Sequence, residues 1–210
     1  MASQVKIEEV AYSQSQLQHK KRQRVGILGG TFNPVHQGHL IIADQVRDKL
    51  QLDQVYLMPT NIPPHKAVDS MVTNQQRLNM LALAIADNPS LAIEDIEMER
   101  ETTSYTYDTM DILTHLNPHT DYYFIIGADM IESLDQWYRI DDLIKLVNFV
   151  GVARPGYSIE TDYPIMLVDT AKIDLSSSQI RQAVKAGAAI RYLVPEAVRQ
   201  YIIDKELYHG

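Results

Sequence analysis

Cysteine is absent from the 210 residues, which removes thiolate nucleophiles, disulfides, iron–sulfur clusters and cysteine-based zinc sites together. Cations are scarce too: 19 Lys and Arg stand against 27 Asp and Glu, for a net charge of −8. That balance disfavours non-specific attraction to nucleic acid or an anionic membrane, so any bound phosphate needs a locally built site. No apolar run approaches the roughly 20 residues that span a bilayer, and the N-terminus lacks the apolar stretch of a signal peptide. The expectation is a soluble, cytoplasmic protein with no nucleic-acid or membrane partner. What is present is an ordinary globular composition, 45% hydrophobic and 22% charged. The chain is long enough for one sizeable core but not for two large domains.

Residues 1–23 are rich in Gln and charge and lead into a basic cluster ending at Arg24; they are expected to form a flexible extension to a single domain over 24–210. From Arg24 onward, short apolar runs alternate with amphipathic segments. RVGIL, QVYLMPT, LAIEDIEME, YYFIIGAD, NFVGVAR and YPIMLVD read as strands. Between them, Leu40, Ala43, Val46 and Leu50 recur at helical spacing, as do Leu78, Leu81 and Ile85 behind a capping box of Thr73 and Gln76. SYTYDTMDILTHLNP reads as a helix over 105–116 stopped by Pro118, and DDLIKL as a helical turn or two. Near the end, SSQIRQAVKAG is closed by Gly187, and Pro195 takes the first helical position of PEAVRQYIIDKEL. Strands alternating with helices predict an α/β fold: a Rossmann-like, doubly wound, mostly parallel sheet, helices on both faces, and a small C-terminal helical portion. Ligands of such sheets sit at the C-terminal ends of strands near the switch in strand order.

The most informative stretch is GILGGTFNPVHQGHL, residues 26–40. Gly29 and Gly30 let a backbone approach a ligand closely, and the helix start beyond supplies free N–H groups suited to phosphate. His36 and His39 project over the same helix end and could donate hydrogen bonds to phosphate oxygens. By itself, HxxH is more often a strand-helix turn with two incidental surface histidines. A zinc site is disfavoured, since neither H-E-x-x-H nor a third ligand at a recognisable spacing follows. The dinucleotide G-x-G-x-x-G, the P-loop and the kinase signatures are all missing.

GGTFNPVHQGHL resembles the signature of the HxGH nucleotidyltransferases, which join a nucleoside triphosphate to a phosphate-bearing acceptor and release pyrophosphate. MPTNIPPHK (58–66), SYTYDTM (104–110) and FIIGADMIESLDQWYRIDDL (124–143), followed by RPGY (154–157) and SSSQIR (176–181), narrow the resemblance to the bacterial nicotinate-nucleotide adenylyltransferase family. The motifs occur in order over about residues 24–208. Asn33 stands where that family often has Asp, and Ser178 where Thr is common; both keep polar capacity.

The resemblance implies transfer of the AMP moiety of ATP to nicotinate mononucleotide, giving deamido-NAD and pyrophosphate, in NAD biosynthesis. It implies that His36 and His39 contact the ATP phosphates, helped by Gly29, Gly30, Thr31, Phe32 and the helix start at Gly38. Lys66, beyond Pro63 and Pro64, and Arg181 would supply cations; Ser177 and Ser178 would touch the β- and γ-phosphates. Gly127, Asp129 and Arg154 would line the nucleoside. Asn61, Thr106, Trp137 and Tyr138 would hold the acceptor, with Thr106 on the nicotinate carboxylate; a lone Trp is otherwise as readily core. Mg²⁺ would arrive bound mainly through the ATP phosphates, and no dedicated protein metal site is expected. A homo-oligomer is compatible with this picture. The alternatives are a preference for nicotinamide mononucleotide, a pantetheine-phosphate or cytidylyl enzyme, and a silent nucleotide-binding regulator. PPHK and SYTYDT count against the pantetheine-phosphate and cytidylyl readings, and intact His36, His39, Lys66 and Arg181 against the last.

Overall fold

The structure is a computed structural model that describes residues 21–62, 72–100, 103–152 and 161–209. Six strands form one sheet: β1 (Gln23–Gly30), β2 (Gln54–Pro59), β3 (Leu91–Ile93), β4 (Thr120–Gly127), β5 (Asn148–Val152) and β6 (Ile165–Val168). Their order is β3-β2-β1-β4-β5-β6 and every pairing is parallel. The order reverses between β1 and β4, so the crevice of a doubly wound sheet opens beyond Gly30 and Gly127.

The alternation along β1 shows how the two faces are filled. Val25 and Ile27 join one apolar cluster, and Leu28 joins the other, on the opposite face. Gly26 faces the latter side with no room for a side chain, because a Cβ there would meet Val55 Cγ2 at 2.7 Å. The first cluster includes residues of α3 (Thr106–Leu116) and α5 (Ile140–Leu146). The second packs α1 (Gln37–Lys49), α2 (Asn74–Ile85), α6 (Ser177–Lys185) and α7 (Glu196–Asp204) around Leu28, Val55 and Val150. Helices therefore cover both faces, as the alternating pattern predicts.

Local signals are largely realised. Thr73 Oγ1 accepts from the Gln76 N–H while the Gln76 side chain accepts from the Thr73 N–H, completing the capping box of α2. Gly187 sits at φ 67° just beyond α6, where a left-handed residue closes a helix without Cβ strain.

Four details differ. The third strand is three residues long, because at the sheet edge the chain turns after Ile93 and Asp95–Glu97 begins a hydrogen-bonded turn closed by Met98. Pro195 is the N-cap of α7 and not its first residue. Gly127 ends β4, but Asp129 belongs to a short helix α4 (Ala128–Ile131). The buried stripe of α2 is Arg77, Met80, Leu81 and Ala84, whereas Leu78 and Ile85 are half-buried. Lys66, Arg154, the RPGY segment and most of the N-terminal extension lie outside the described residues.

Candidate active site

The turn from β1 into α1 is built to aim two imidazoles. Phe32 takes a left-handed φ of 47° and is buried beneath the turn, so its ring is not presented to a ligand. His36 is the N-cap of α1, and its own N–H donates to His39 Nδ1 at 3.2 Å. A neutral ring accepting at Nδ1 carries its proton on Nε2, which leaves His39 a donor on the opposite edge. The rings stack at 3.6 Å, and His39 meets the edge of Phe32 at 4.9 Å. Gly38 belongs to this packing: a Cβ there would press on His36 Nδ1 at 3.1 Å.

The far end of the chain holds the turn in place. Ser177 Oγ donates to the Pro34 carbonyl at 2.8 Å, and Arg181 Nη1 donates to the Asn33 carbonyl at 2.7 Å. Arg181 Nη2 also donates to Ser178 Oγ at 3.1 Å. Asn33 is fixed from another side, where the Tyr208 hydroxyl donates to its Oδ1 at 2.6 Å. The SSSQIR segment thus opens a capped helix directly beside the glycine-rich turn, with Ser176 accepting from the Gln179 N–H. The Ser177 hydroxyl proton is committed to this scaffold, while two bonds use only part of the Arg181 donor set.

On the other side of Gly29–Thr31, a cavity of about 760 Å³ runs toward the start of α3 and the segment before α5. Its wall includes Thr106, Trp137 and Tyr138, three of the four residues expected at the acceptor. Trp137 lines the cavity and packs edge-on against Phe124 and Phe149, each at 6.1 Å, so it belongs to the wall and to the apolar packing at once. Tyr138 is exposed and faces Tyr105 at 4.7 Å. Thr106 is the first residue of α3, whose opening N–H groups lack helical partners and favour an anion. Asn61 does not line the cavity; its Nδ2 donates to the Arg100 carbonyl and its Oδ1 accepts from Asn74 Nδ2, both at 2.6 Å. Its amide is a clamp between loops.

Two buried ionisable residues escaped the sequence reading. Glu97 lines the cavity at 2% exposure, and its Oε1 accepts from Thr109 Oγ1 at 2.9 Å, which in turn accepts from Arg100 Nη1 at 3.2 Å. It was hidden within an apparent strand. Arg77 is fully buried under Thr31; its spacing to Met80, Leu81 and Ala84 placed it on the buried stripe, a legible but overlooked signal.

Burial pushes the Glu97 carboxyl above the ordinary range, against the hydrogen bond from Thr109 and the pull of Arg100. The folded state then binds the proton more tightly than the unfolded one. Stability is lost as pH rises from the usual glutamate range through the raised folded value. Glu97→Gln removes that ionisation and keeps an acceptor for Thr109. In thermal melts, its Tm relative to wild type should climb as pH rises above the ordinary glutamate range; a constant offset would mean that Glu97 titrates normally.

Among the described residues, no group of three or more His, Asp and Glu is arranged to hold a metal ion. No helix among them is long and apolar enough to cross a membrane.

Known proteins resemble this chain in sequence and in fold. The cytidylyltransferase-like family profile matches residues 27–183. A relative from Enterococcus faecalis, named as a probable nicotinate-nucleotide adenylyltransferase, is 54% identical over 200 residues, covering 95% of this chain and 91% of that one. One of the same name from Geobacillus thermodenitrificans is 55% identical over 185 residues, covering 88% and 86%. In fold, the Plasmodium falciparum nicotinic acid mononucleotide adenylyltransferase complexed with NaAD superposes with a TM-score of 0.77, at 20% identity over 89% of this chain and 98% of that one. With the family profile spanning most of the chain and relatives above half identity, this protein belongs to the cytidylyltransferase-like family and, within it, to the nicotinate-nucleotide adenylyltransferases.

Proposed function

We infer that this chain transfers the AMP moiety of ATP to nicotinate mononucleotide, forming deamido-NAD and pyrophosphate, a step of NAD biosynthesis. The observation that carries the reading is the shared border Gly29–Thr31: a histidine-bearing turn beside it and an aromatic cavity on it bring two ligands together. The acceptor phosphate has a second pKa of about 6 and is already an anionic nucleophile near neutrality. No general base is needed. One of its oxygens forms a bond to the α-phosphorus of ATP, and the bond from that phosphorus to the bridging oxygen breaks, so pyrophosphate leaves with the electron pair. The task is to align two polyanions and to stabilise charge on the leaving phosphates.

Position among the described residues supports most of these roles, while those of Lys66, Asp129 and Arg154 rest on the resemblance of their motifs. His39 donates from Nε2, and His36 supports it through the stacked ring and backbone N–H. Gly29, Gly30, Thr31 and the α1 start at Gly38 offer close backbone approach. Arg181 and Ser178 add donors for the outer phosphates from α6, and Lys66 is the cation proposed from the loop after β2. Gly127, with Asp129 and Arg154, forms the nucleoside side. Thr106 and the α3 N-terminus receive the nicotinate carboxylate, with Trp137 and Tyr138 against the ring. Mg²⁺ brought by ATP would supply neutralisation of phosphate charge. Imidazole, hydroxyl and amide donors around the turn fit a metal brought by the triphosphate rather than a protein cage. A cytoplasmic setting fits these charged substrates.

The test is pyrophosphate release by the purified protein with ATP and Mg²⁺, offering nicotinate and nicotinamide mononucleotides in parallel. Strong release with the acid and little with the amide is expected. Release with neither would overturn the reading.

A further inference from the structure

Arg77 is wholly buried in the second turn of α2, on the stripe that otherwise holds Met80, Leu81 and Ala84. Its Nη1 donates to the Thr31 carbonyl at 2.8 Å and to the Thr60 carbonyl at 2.7 Å; its Nη2 donates to Asn74 Oδ1 at 2.6 Å and faces Met98 Sδ at 3.7 Å. Nε is buried without a hydrogen-bond partner among the described residues. Every acceptor is neutral, and no carboxylate among the described residues forms an ion pair with the guanidinium. A buried guanidinium without a counter-charge carries a heavy desolvation cost, and a methionine of similar volume would fill this stripe without it. An arginine does what methionine does not: it ties together the carbonyls just past the ends of β1 and β2, and it keeps a positive charge under the glycine-rich turn. The tie extends further, since Asn74 also donates to Asn61, which donates to the Arg100 carbonyl in the loop below the cavity.

We propose that Arg77 is a positioning residue for adenylyl transfer, bracing the turns beyond β1 and β2 and holding a positive charge, unpaired with any carboxylate among the described residues, that the triphosphate of ATP neutralises on binding. The inference rests on the adenylyl-transfer reading above. It accounts for an ionised side chain on an apolar stripe. It also predicts that the charge and the hydrogen-bonding fork can be separated by mutation.

Three variants separate them, with binding of ATP, inorganic pyrophosphate and uncharged adenosine followed by calorimetry. Arg77→Met should weaken ATP and pyrophosphate about tenfold, the scale of one charge acting over roughly 10 Å at an effective dielectric of about 20. Adenosine should bind as before. Asn74→Asp keeps the acceptor on Nη2 and adds a counter-charge but gives up the donor to Asn61 Oδ1, so ATP and pyrophosphate should weaken in the same sense while adenosine again binds as before. Arg77→Lys keeps the charge and loses the fork; its ATP affinity should stay within about threefold while kcat falls, because an ammonium cannot reproduce the planar bidentate contact. Should Arg77→Met fail to fold, Asn74→Asp decides. Unchanged ATP affinity in both charge-altering variants overturns the proposal, as does an equal loss of ATP and adenosine. Wild-type protein that releases no pyrophosphate overturns the transfer reading as well, whereas active wild type with unaffected variants overturns the role of Arg77 alone.

Discussion

Replacing His39 by Ala should lower kcat for pyrophosphate release by about 10²-fold or more, the usual loss when a preorganised donor to developing negative charge is removed. ATP binding should change less, because the glycine-rich backbone, the α1 N-terminus and the α6 donors are retained. The geometry makes His39 the sharper of the two histidine tests. Its Nδ1 is occupied by the His36 N–H, so the opposite nitrogen is held as a donor and needs no reorganisation as the phosphate charge shifts. His36→Ala leaves that backbone N–H in place but removes the ring stacked at 3.6 Å, and a comparable fall in kcat is expected. Steady-state kinetics with both substrates varied checks this. A variant with near-native kcat would reduce that histidine to packing beneath the turn.

Thr106→Val should raise KM for nicotinate mononucleotide by about tenfold or more, the effect of one lost hydrogen bond to a charged group. KM for ATP should move little. The structure separates a recognition role from a capping one: α3 is entered from Tyr105, which makes no side-chain cap bond, and Thr106 is already inside the helix. Thr106 borders the cavity beside Trp137 and Tyr138. Valine keeps the shape and removes only the hydroxyl. Equal weakening of both substrates would instead assign Thr106 to holding the helix start. Loss confined to the acceptor would place acid recognition at the α3 N-terminus.

Some of this site was plain in the order of residues. The glycines, the two histidines and the helix that follows lie within fifteen residues, so their juxtaposition needs only a strand, a turn and a helix. The caps of α2 and α6 are local in the same way, since Thr73 with Gln76 and Ser176 with Gln179 act across a single turn. Trp137 carried two meanings in the sequence, and the fold sets it edge-on to Phe124 and Phe149 while it also lines the cavity. Phe32 and Asn61 show the opposite outcome. Each stands in a motif suggesting contact with ligand, yet packing and hydrogen bonds turn the Phe32 ring and the Asn61 amide to structural work.

By itself, then, the sequence determined the alternation of strands and helices, the glycine-rich turn with its imidazoles, and the family to which the chain belongs. The first two depend on periodicity, capping and short spacing, which are local properties, and the family on the resemblance of motifs in order along the chain. Only the tertiary structure decided that Ser177, Arg181 and Tyr208 brace Asn33 and Pro34 from the far end of the chain. It also decided that Arg77 bridges Thr31 and Thr60, and that Glu97 lines the cavity as a buried carboxyl. Those arrangements depend on which faces the sheet and its helices bury against each other. Burial changes a polar side chain from a solvated group into one whose few neighbours set its charge and geometry.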